Sequence, residues 1–106
     1  MYSGEILKSK VLLVNRILKG KVPNLYKISN LINKEMIEIR RELEEVNKYV
    51  IYQNVKYNDL IKLLRAFINE AGSYLIKGKG TDGYDEVLDF YFDARSFVAL
   101  NELYSK

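Results

Sequence analysis

A chain of 106 residues with 48% apolar and 29% charged side chains has the balance of one globular domain spanning residues 1–106, able to bury a core without disulfides or metal. It contains neither cysteine nor histidine, which excludes a disulfide framework, a thiolate nucleophile and zinc or iron–sulfur sites, and removes the usual general base and the commonest metal ligand. The net charge of +3 is unevenly spread: Lys8, Lys10, Arg16, Lys19, Lys21 and Lys27 follow a single acid, Glu5, whereas Asp82, Asp85, Glu86, Asp89 and Asp93 form a stretch without a base. Such asymmetry allows the two ends to attract each other, within one chain or between chains.

Four segments carry helical periodicity. The first, from about Gly4 to Lys19, places Ile6, Val11 or Leu12 with Leu13, and Ile17 with Leu18 at near-helical spacing, and Gly20 supplies a C-terminal cap after a basic last turn. The second opens at Pro23, whose fixed φ suits a first helical turn. From there Leu25, Ile28, Ile32, Met36, Ile39, Leu43, Val46 and Val50 recur every three or four residues, a coiled-coil-like seam that extends the helix to about Tyr52. Such a helix is roughly 45 Å long, more than a compact domain of this size needs.

A break is expected near 53–58, with Asn54 or Asn58 as cap, although one continuous helix is the alternative. The third helix, about Asn58 to Lys77, turns Leu60, Leu63, Leu64, Phe67, Ile68, Ala71 and Leu75 inward, and the glycine-rich segment 78–83 ends it. The fourth, about Asp82 to Tyr104, is apolar on most sides, from Val87 through Phe90, Phe92 and Phe97 to Leu100 and Leu103. A helix of that kind is central or sits in an interface. The expected fold is therefore all-α, a bundle of about four helices with one long coiled-coil-like second helix.

Several motifs bear on chemistry. Gly78-Lys79-Gly80-Thr81-Asp82-Gly83 reads G-x-G-x-x-G, but a helix precedes it where a dinucleotide fold has a strand, so it is read as a helix–helix connection. Laid over a calcium loop, the same segment puts glycines where carboxylates are needed. The acidic stripe Asp82, Asp85 or Glu86, Asp89 and Asp93 reads as a solvated face that complements the helix dipole, with Asp89 and Asp93 as its deeper pair. Adjacent Ser9–Lys10 point in different directions on a helix and carry no catalytic meaning.

The expectation is a non-catalytic interaction or assembly module (adaptor, inhibitor or complex subunit), without cofactor or metal, that forms a homodimer or higher homo-oligomer by helix packing or meets another protein partner. The interface is placed on Ile32, Met36, Ile39, Leu43, Val46, Val50, Phe90 and Phe97. The alternative is a nucleic-acid-binding subunit with phosphate contacts at Lys8, Lys10, Arg16, Lys19, Lys21 and Lys27, and with Tyr26, Tyr49, Tyr52 and Tyr57 as stacking surfaces near Lys48 and Lys56. Apolar runs as short as Val11–Val14 imply no membrane span. The N-terminus has no signal-peptide pattern, so a cytoplasmic location is expected.

Overall fold

The computed structural model describes residues 4–45 and 55–104. They form four helices: α1 (Gly4–Leu18), α2 (Pro23–Glu45), α3 (Val55–Lys77) and α4 (Tyr84–Tyr104), with no strand among the described residues. Each helix packs on two others in a ring, α1 against α2 and α4, and α3 against α2 and α4. Cross-links fix the directions. Asn15 meets Ser29 near the α1–α2 turn, Tyr57 and Phe67 of α3 meet Phe97 and Phe90 of α4, and Lys21, just past α1, reaches Asp82, just before α4. Neighbours are thus antiparallel, and the bundle measures 43 × 24 × 19 Å.

One core runs through the ring. Leu7, Val11, Val14 and Leu18 recur at steps of four and three on α1, and Leu25, Ile32, Met36 and Ile39 line α2. Leu60, Leu64, Phe67 and Ala71 face them from α3, and Val87, Phe90, Ala94 and Phe97 from α4. Phe67 and Phe90 meet edge to face, with ring centroids 4.7 Å apart, at the middle of the α3–α4 contact. Between Leu25 and Ile32 the buried position belongs to Ser29 rather than to Ile28, which is only partly buried. The Ser29 hydroxyl stays satisfied by donating to Asn15 Oδ1 or to the Tyr26 carbonyl oxygen at 3.0 Å.

The described part of the second helix packs within the bundle, contrary to the expectation that its seam faces a partner. Over the described residues α2 spans 23 residues, the same as α3, and its apolar seam is closed by α1 and α3 of the same chain. The predicted continuation through Val46 and Val50 to Tyr52 lies outside the described residues. The third helix is described from Val55, so Asn58 sits inside the helix and is not its cap, and Asn54 lies outside the described residues.

Glycine sets both described connections. Gly20, just past α1, has φ 80° and lets the Lys21 and Val22 amides return to the Leu18 carbonyl at 3.0 and 3.1 Å. In the α3–α4 connection, Gly83 has φ 82°, and a Cβ there would overlap Ile17 Cγ2 of α1. The Thr81 amide and hydroxyl both donate to the Gly78 carbonyl, at 3.0 and 2.6 Å, which holds the turn without a ligand. The G-x-G-x-x-G segment is thus a tight helix–helix connection whose last glycine lets α1 approach.

Candidate interaction surface

The helix rows that face outward carry the surface chemistry. On α4, Asp85, Asp89, Phe92, Ser96, Leu100 and Leu103 follow at steps of four, three, four, four and three, so they share one side of the helix. All six are exposed, and the apolar members remain 52% (Phe92), 48% (Leu100) and 66% (Leu103) accessible. Exposed Ala99 widens the same strip. The opposite side of α4 holds Val87, Phe90, Ala94 and Phe97 in the core. The row arises because α4 is apolar nearly all round while the bundle covers only part of its circumference.

The residues expected to form an oligomer interface sit elsewhere. Ile32, Met36, Ile39, Phe90 and Phe97 are buried within the chain, Ile32 and Phe90 completely, and offer no surface to a second copy in this fold. The physical reason is the ring closure: the α2 seam finds its partners on α1 and α3. The Leu43 side chain, Val46 and Val50 lie outside the described residues. Periodicity finds the apolar positions of α4 but does not say which third of its circumference the other helices occupy, so Phe90 and Phe92 were not separable from sequence.

The charged groups are arranged around the contact of α1 with α4. Lys10 Nζ lies 2.5 Å from Asp93 Oδ2, and the Lys21 ammonium lies 3.5 Å from the Asp82 carbonyl oxygen. The hydrogen bond to Asp93 raises the Lys10 pKa above its ordinary value; partial burial opposes this, and the charges of Asp93 and Asp89 add to it. Attraction between the basic and acidic stretches therefore operates within the chain, and Lys10 is the one predicted phosphate contact that faces a carboxylate here. Asp89 is exposed, so it is not the deep partner of Asp93 that its position suggested. Arg16, Lys19, Lys21 and Lys27 are exposed and Lys8 half-buried.

The proposed stacking tyrosines do not form a platform. Tyr57 is buried against Phe97 with ring centroids 5.9 Å apart, and Tyr26 packs partly into the core. Tyr49, Tyr52 and Lys48 lie outside the described residues, and Lys56 reaches toward Glu35 at 4.0 Å.

A cleft of about 320 Å³ opens between α3 and α4, bordered by Arg65, Ile68, Arg95, Val98 and Glu102. Arg65 bonds Glu102 at 2.7 Å, and the Arg95 guanidinium lies 5.7 Å from the Tyr91 ring centroid. Its charged groups thus already have neighbours, and no base–nucleophile pair lines it. Among the described residues no group of three or more acidic side chains converges to hold a metal ion. No helix among them is long and apolar enough to cross a membrane.

Comparison with known proteins returns no match to a family model, a curated protein or a solved structure.

Proposed function

We propose that this chain is a non-catalytic interaction module that self-associates by helix packing through the outward row of α4. The observation that carries the reading is the strip of Phe92, Leu100 and Leu103, each about half exposed or more on a single helical face. Large apolar side chains grouped in this way favour a partner surface, and three of them rimmed by charge have the composition of an interface centre. The pairing helix of this reading is α4, because the described part of the α2 seam is occupied inside the bundle.

The magnitudes bear on the strength. Burying the exposed half of three such side chains contributes roughly 2–5 kcal/mol. A micromolar complex requires about 8 kcal/mol net after association entropy is met. The apolar strip therefore needs help from its polar surroundings. Light scattering across micromolar to millimolar protein should show a mass above the 12.4 kDa of one chain. Phe92→Asp with Leu100→Asp should return the monomer without altering the circular dichroism of the fold. A chain that stays monomeric throughout removes the reading.

A second reading, nucleic-acid binding, is favoured by the solvent-facing cluster of Arg16, Lys19, Lys21 and Lys27. It predicts oligonucleotide binding at low salt that weakens when Lys8, Arg16 and Lys19 are neutralised together, with Lys10 contributing least because it faces Asp93. Absence of binding to single- and double-stranded oligonucleotides at low salt removes it.

A further inference from the structure

We propose that copies of this chain associate head to tail, the outward row of α4 in one copy lying antiparallel on the outward row of α1 in the next. The proposal rests on the self-association reading above and adds which surface meets which.

The α4 row is divided along its length, with Asp85 and Asp89 in its first half and Phe92, Leu100 and Leu103 after them. On α1, Lys8, Leu12 and Arg16 follow at steps of four, and Lys19, the residue just past its end, whose amide still bonds the Asn15 carbonyl at 3.1 Å, continues the same side. Leu12 is 45% exposed there. Seven residues separate Asp85 from Phe92, and seven separate Leu12 from Lys19, so both intervals cover about 10 Å of helix rise. Laid antiparallel, Asp85 opposes Lys19, Asp89 opposes Arg16 and Phe92 opposes Leu12.

Charge decides between this arrangement and a symmetric one. Two α4 rows paired in parallel set Asp85 and Asp89 against their own copies. Paired antiparallel, they set the same carboxylates against Leu100 and Leu103 with no cation opposite. Both strand like or unpartnered charge in the contact, which costs affinity. Arg16 and Lys19 of the α1 row remove that cost, and Lys8 falls opposite the neutral Ser96. Within the chain the same two helices already pair in this direction through Lys10 and Asp93. The sequence of α1 has no acid after Glu5, and the only base on α4, Arg95, lies over Tyr91. A basic α1 and an acidic α4 thus leave one further complementary pair of rows, and only a second copy can bring them together. Because the two surfaces differ, the contact does not close at two copies, and it builds rings or open chains.

The test is a charge swap in the full chain. One variant carries Lys8→Glu, Arg16→Glu and Lys19→Glu; the other carries Asp85→Lys and Asp89→Lys. The wild-type mass should climb past two copies with concentration and fall with added salt. Each variant alone should remain folded by circular dichroism and lose association. An equimolar mixture should regain it, since every α4 row again faces an α1 row of opposite charge. If the α1 variant still forms a dimer like the wild type, the head-to-tail arrangement is overturned while self-association stands. A wild-type monomer at every concentration overturns both. A monomer that binds an oligonucleotide through Lys8, Arg16 and Lys19 assigns the α1 row to phosphates and also overturns the proposal.

Discussion

Phe90 and Phe92 are two residues apart on α4, yet the bundle puts them in opposite environments, and truncating each to alanine measures that difference. Phe90 is fully buried and meets Phe67 edge to face at 4.7 Å, whereas Phe92 is 52% exposed. Removing a buried phenylalanine ring loses its transfer free energy and leaves a cavity, together about 3–5 kcal/mol. A domain of this size has only about 5–15 kcal/mol in total. Phe90→Ala should therefore lower the thermal midpoint by at least about 12 °C, or leave the chain unfolded at room temperature. Phe92→Ala in dilute monomer should cost about 1 kcal/mol, because only about half of its ring is buried, against Tyr91 and its surroundings. Urea unfolding followed by circular dichroism reads both, with unchanged slopes showing that the denatured state is the same. A cycle with Phe67→Ala should show that the two ring deletions are not additive, with a coupling of about 0.5–1.5 kcal/mol. Equal costs at positions 90 and 92 would refute the rotation of α4 on which both functional proposals stand.

Two further outcomes test the connections and the charge layer. Gly83→Ala combines a left-handed backbone with a clash on Ile17 and should cost about 2–3 kcal/mol, whereas Gly80→Ala, with φ 90° and open space around it, should cost about 1 kcal/mol. Chemical denaturation compares them, and Ile17→Ala should bring the Gly83 variant down toward the Gly80 value; equal costs in the parent chain would remove the close approach of α1. For the Lys10–Asp93 pair, folding raises the lysine pKa above 10.5, so its stabilisation is complete below that pH and fades as pH climbs through the raised value. The pair is partly exposed, so Lys10→Met should cost at most about 1 kcal/mol at neutral pH, less in high salt and nothing at strongly alkaline pH. A loss that persists unchanged at alkaline pH would point to packing of the lysine stem instead.

Much of this architecture was legible in the chain itself. Helical spacing of apolar residues locates the helices, and Gly20, Pro23 and the glycine-rich segment 78–83 mark where four of their ends fall, because these residues act through backbone geometry that needs no distant partner. The absence of cysteine and histidine narrowed the chemistry for the same local reason. The third helix is described from Val55, inside the expected break at 53–58 and shortly before the expected start near Asn58, since no glycine or proline marks that end; Ser29 escapes the apolar pattern because a buried hydroxyl is acceptable only once Asn15 and Tyr26 are known to stand beside it. Which apolar residues are core and which are surface was a tertiary decision. Periodicity defines a helix face but not the angle at which the bundle takes it up, so the α2 seam was closed by α1 and α3 while Phe92, Leu100 and Leu103 were left outside. The charge asymmetry was plain in the sequence; that Lys10 meets Asp93 within the chain, leaving Lys8, Arg16 and Lys19 on another side of α1, follows only from the antiparallel packing of α1 on α4.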